Sequence, residues 1–145
     1  MWSVSRRPRS SNEDRASAVD VLVAARQHAA AARVLAEHTR ELPPVGFLAG
    51  HACELAMKAY MVHRGDSITG ISKRYGHDLT RLLGAVSNVE LPRATADCVR
   101  TLAMFHGPDQ GLVSRTPGSG TQTVELEDIP EHVDALIAAV AAHLE

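Results

Sequence analysis

Aromatic side chains supply only 3% of this 145-residue chain, one Trp, two Tyr and two Phe, so its interior cannot be built on large rings. Strong β-formers are also in short supply while alanine is abundant, which argues against sheets and for a core of Ala, Leu, Val and Ile packed at close range. There are two cysteines, Cys53 and Cys98, and neither has a second Cys at C-x-x-C spacing. Buried free thiols in a reducing, cytoplasmic setting are the expectation. No stretch approaches the roughly 20 apolar residues that span a bilayer, and the basic N-terminus is not followed by an apolar run of signal-peptide length, so no membrane partner is expected. H-E-x-x-H, a paired-cysteine zinc motif, a P-loop and G-x-S-x-G are all missing. No Glu is followed three places later by His, the pairing that binuclear helical-bundle sites use. Eight histidines notwithstanding, neither a metal nor a cofactor is expected, and His28, His38, His132 and His143 read as plain surface or boundary residues.

What the chain does have is 45% apolar content, enough for one continuous core at this length. Its net charge of −2 is unevenly laid out. Arg6, Arg7, Arg9 and Arg15 crowd the first sixteen residues, whereas from Gln122 onward there are six acids and no Lys or Arg, so a polyanion would be repelled from the C-terminal end. Residues 1 to 14, rich in Ser, Arg and Pro without apolar periodicity, read as a disordered arm, and residues 15 to 145 as one helical domain.

Within that domain, Val19, Leu22, Val23, Arg26, Ala30, Val34 and Leu42 give a stripe that predicts a first helix from about Ser17 to Glu41. Pro43-Pro44 breaks it, and a second helix is expected from about Val45 to Arg64, with Leu48, Ala52, Leu55, Ala59 and Val62 on one face and Gly65 at its C-cap. Residues 65 to 76 hold three glycines among polar residues and read as a loop. A third helix starts near Asp78 with Leu79, Leu82, Leu83 and Val86 inward; a fourth follows Pro92 with Ala94, Cys98, Leu102 and Phe105 on one side. A long connection from Gly107 to Glu127 precedes the last helix, announced by Asp128 and Glu131 at capping-box spacing and by Val133, Leu136, Ile137, Val140 and Leu144. The fold class is therefore all-α, an up-and-down bundle of about five helices.

On the second helix, His51, Glu54, Leu55 and Lys58 share a side, and Glu54 and Lys58 stand in the favourable i, i+4 order; taken alone, the pair reads as a surface ion pair. Lys73, Arg74, His77 and Arg81 form the densest basic cluster outside the arm, the natural choice for contact with a phosphate. The two groups are linked by a pattern: Phe47-Leu-Ala-Gly-His51-Ala-Cys-Glu54-Leu-Ala-Met-Lys58-Ala, a connection, then Tyr75-Gly76-His77-Asp78-Leu79-Thr-Arg81-Leu82-Leu83. This pattern, over positions 47 to 83, resembles the heart of the HEPN family, the higher eukaryotes and prokaryotes nucleotide-binding domain.

The resemblance implies a helical bundle, often a homodimer, associated with RNA or a nucleotide and found in toxin-antitoxin or phage-defence systems beside a nucleotidyltransferase or antitoxin partner. Catalytic members are metal-independent endoribonucleases with an Arg followed after four to six residues by a His, and Arg100 and His106 have that spacing. On a helix they would sit roughly 9 Å apart along the axis and about 120° around it. In the implied mechanism His106 takes the ribose 2′-hydroxyl proton while Arg100 stabilises the phosphorane. Arg115-Thr116-Pro117, in turn, stands where the non-catalytic branch shows Arg-Tyr-Pro, with Thr in place of Tyr. The leading expectation is a non-catalytic binding and assembly module that uses His51, Glu54, Lys58, Lys73, Arg74, His77, Arg81 and Arg115. A ribonuclease toxin is the alternative, and a subunit that only pairs with another protein, with Glu54 and Lys58 structural, is the third.

Overall fold

The computed structural model describes residues 11–106 and 125–145, and these are all-helical, with no strand among them. Six α-helices follow one another: α1 Ser11–His38, α2 Leu42–His63, α3 Ile68–Tyr75, α4 Leu79–Ala85, α5 Arg93–Leu102 and α6 Ile129–Leu144. None of the described helices is long and apolar enough to cross a membrane. The first ten residues of the expected arm, and Arg115 with most of the long connection, lie outside the described residues.

Helix α2 is the centre of the bundle. It packs against α1 most extensively, then α6, with α4 and α5 against it as well, and it is buried on nearly all sides rather than along one face. Its neighbour α1 corrects the expected stripe. The buried residues are Ala18, Leu22, Ala25, Ala29 and Ala32, whereas Val19, Val23 and Val34 are exposed. The true face is turned by about 100° from the expected one, a single residue step on a helix. The reason is steric. Ala49, Ala52, Ala56 and Ala59 of α2 are fully buried too, and with alanine on both helices the backbones can approach closely, which a stripe of valines would prevent.

Helix ends follow the local chemistry. Pro43 and Pro44 fall in the first turn of α2, where their missing N–H groups cost nothing. Its other end closes on Gly65, which has φ of 106°, with Asp66 N–H donating to the Met61 carbonyl and Gly65 N–H to that of Val62, the paired bonds of a Schellman motif. The expected loop 65–76 instead contains α3. Its start is capped by the Ser67 hydroxyl, which accepts from Gly70 N–H, and Ile71 is the one residue it buries; a single inward side chain in eight is too little periodicity to see in sequence. Ala94 of α5 is exposed, its buried face being Thr95, Cys98, Val99, Thr101 and Leu102. Asp128 precedes α6 but makes no capping bond, because a 3₁₀ turn at Leu126–Asp128 already places it in helical φ and ψ. Cys53 and Cys98 are free and buried, and burial raises both thiols, that of Cys98 to about 12.

Candidate functional site: a buried carboxylate ringed by histidines

Glu54 sits in the middle of α2 with only 2% of its surface exposed, and the chain surrounds it with donors from three places. Lys58, one turn on and itself buried, donates from Nζ to Oε2 at 2.8 Å. His106, just past α5, approaches Oε1 with Nε2 at 2.6 Å. His77, between α3 and α4, reaches the two carboxylate oxygens with Nδ1 at 2.9 and 3.1 Å. The expected surface ion pair is thus a buried hub. Burial would push the Glu54 carboxyl up, but the bonds from His106, Lys58 and His77 together outweigh it and hold the group down at about 2.

Two further imidazoles extend the cluster. The His51 ring lies 5.8 Å from that of His106, and the His28 ring of α1 lies 4.5 Å from His51, edge to face. Burial is the main influence on His51 and lowers its pKa; the Glu54 charge raises it, and His28, His106 and His77 lower it again. The neutral, ligand-competent form is therefore favoured there. His28 Nδ1 lies 2.8 Å from the Ala24 carbonyl, to which it donates, leaving its Nε2 as the lone-pair nitrogen. His51, Glu54 and His106 each offer one ligand atom within 4.8 Å of the others, a grouping no local motif announces because His106 is 52 residues beyond Glu54.

The seat of His106 is made by glycine. A Cβ on Gly50 would stand 3.0 Å from the His106 Cβ and 3.2 Å from its Cγ, and one on Gly46 would stand 3.0 Å from the Phe105 Cβ. Two glycines one turn apart on α2 thus form the groove into which the chain after α5 is pressed. His106 has extended backbone, beyond the 3₁₀ turn Ala103–Phe105, so the helical geometry expected for Arg100 and His106 does not hold. Arg100 is exposed, pairs with Asp97 at 2.9 Å, and lines a groove between α4 and α5 with Thr80, Leu83 and Glu90. His106 is 5% exposed and turned onto Glu54. Within one chain the two side chains thus have different partners.

Four consecutive residues at the entry to α4 have four separate tasks. Gly76, with φ of 55°, turns the chain out of α3; His77 binds Glu54; Asp78 caps α4 by accepting from Arg81 N–H at 3.1 Å; Leu79 is buried in the core. With Nδ1 of His77 on Glu54, Nε2 is the ring nitrogen left for a ligand, on a side chain that is 57% exposed. Around it, Lys73, Arg74 and Arg81 are exposed, and the guanidinium groups of Arg74 and Arg81 lie 5.9 and 5.3 Å from the Tyr75 ring centre. Arg74 and Arg81 of the expected basic cluster therefore share the Tyr75 ring. Comparison with known proteins returns nothing: no family model, curated protein or solved structure matches this chain.

Proposed function

We propose that the chain is a HEPN-like module that binds the phosphates of an RNA or nucleotide at the α3–α4 surface, without cleaving them. The observation that supports this reading best is the exposed His77, oriented by the buried Glu54 and flanked by Lys73, Arg74 and Arg81. Guanidinium groups suit phosphate oxygens because they offer several donors in one plane. The Tyr75 ring holds both arginines beside each other on a short, capped pair of helices. Acidic residues gather instead in and before α6, which disfavours a polyanion there. The resemblance over positions 47 to 83 agrees, and extends the proposal to a homodimer acting beside a nucleotidyltransferase or antitoxin.

A nuclease built on Arg100 and His106 has less support, since one residue is committed to Asp97 at the surface and the other to Glu54 in the interior. The deciding experiment is fluorescence anisotropy of labelled single-stranded RNA across a salt series, with EDTA present throughout. Binding is expected to weaken steeply with salt. Arg74→Ala/Arg81→Ala should weaken it and reduce the log–log salt slope by about 1.4, two phosphate contacts at roughly 0.7 each on a single strand. Arg100→Ala should leave it unchanged. Intact RNA after long incubation is expected; cleavage by the parent but not by Arg100→Ala/His106→Ala would establish the nuclease instead.

A further inference from the structure

We propose that His51, Glu54 and His106 form a binding site for a late first-row divalent metal ion, zinc or a relative. Two observations carry it. The three side chains already place one ligand atom each within 4.8 Å of one another, and Glu54 and His106 are both at least nine-tenths buried. In addition, His106 Nδ1 is buried and has no hydrogen-bond partner. That ring is therefore held by Glu54 alone, so no second hydrogen bond has to break when Nε2 exchanges the carboxylate for an ion and its proton is released.

The geometry needs only small shifts. At bond lengths of about 2.0–2.1 Å and a tetrahedral angle, neighbouring ligand atoms stand about 3.3 Å apart. His106 Nε2 and Glu54 Oε1 are now 2.6 Å apart, so an ion entering between them spreads the pair by less than an ångström. His51 must close in, and its ring is only half-buried. Lys58 stays on Oε2, leaving Oε1 to the ion, while the exposed His77 can swing away from that oxygen. His28 stands beside His51 with its Nδ1 already engaged by a backbone carbonyl, the arrangement that commonly orients a metal-binding imidazole. Two imidazoles and one carboxylate favour zinc, cobalt, nickel or copper over the oxygen-seeking magnesium and calcium.

This site shares Glu54 with the phosphate surface through His77, and it revises the expectation that the histidines have no metal role. The test uses the full chain with any affinity tag removed and metal stripped by chelator, titrated with Zn²⁺ by calorimetry and with Co²⁺ by visible absorption. One ion per chain is expected, with the ligand-field bands of histidine-bound cobalt. His51→Ala should weaken binding at least about tenfold, because losing even an outer-shell partner of a metal ligand costs that much. His38→Ala, at a remote exposed histidine, should not change it. Circular dichroism establishes that His51→Ala is folded, and His106→Gln, which keeps a donor for Glu54, is the second variant with the same expectation. Absence of stoichiometric uptake, or uptake that neither variant weakens, overturns the proposal. The RNA assay is run in EDTA, so either proposal can fail while the other stands.

Discussion

Helix α2 has two unlike sides. Ala49, Ala52, Ala56 and Ala59 fall within about 80° of arc, and Glu54 and Lys58 lie roughly opposite. Both sides are buried, yet one is sealed by small apolar groups and the other by a charged carboxylate with three donors. The alanine side is held by shape. The Glu54 side is held by pairing, where removing the carboxylate leaves Lys58 and His106 buried without their acceptor. A fold carries that second kind of side at a cost, which is why it is the place to look for function.

The sharpest way to break the contrast is Glu54→Ala. It strands Lys58 in the interior and leaves His106 and His77 without an acceptor, and a loss of about 3–5 kcal/mol is expected by urea denaturation. Adding Lys58→Met should recover part of that loss, since it removes the stranded charge. On the alanine side, Ala25→Leu should cost about 1–3 kcal/mol through overpacking. The exposed Val23→Thr, one residue step around α1, should stay within about 0.5 kcal/mol.

A finer comparison uses two glycines. Gly50→Ala drives a methyl against His106 and should destabilise by about 1–2 kcal/mol despite the better helix propensity of alanine. In α4, Gly84→Ala meets nothing within 4 Å and should stabilise by up to about 1 kcal/mol, read as opposite shifts in Tm. The last effect is in acid. Because the folded Glu54 carboxyl is held at about 2 against an ordinary value of 4.5, its stabilisation is complete above about pH 4.5 and is lost as pH falls toward 2. Glu54→Gln should therefore be less stable at neutrality but flatter across that window, measured as Tm against pH.

Much of this was legible in the sequence, for reasons that particular residues make clear. Long helices announced themselves through periodicity, and Pro43, Pro44 and Gly65 marked the ends of α2. The face of α1 was misplaced because alanine carries little weight in a hydrophobic pattern, while the valines that dominate it point outward. Of the candidate site, His51, Glu54 and Lys58 could be grouped by helical spacing, and Lys73, Arg74, His77 and Arg81 by proximity in the chain. What could not be read is the meeting of Glu54 with His77 and His106, because it depends on how α3, α4 and α5 pack around α2. His28 gave no signal at all, being one polar residue on an alanine-rich helix. Spacing groups Arg100 and His106, whereas their partners in the fold are Asp97 and Glu54.

The fit of His106 over Gly50 also has an evolutionary meaning. A Cβ at position 50 presses on the imidazole, so a lineage that acquires one there should also show a change at position 106, while a lineage that keeps the glycine leaves position 106 free to vary. The constraint on descent runs in one direction.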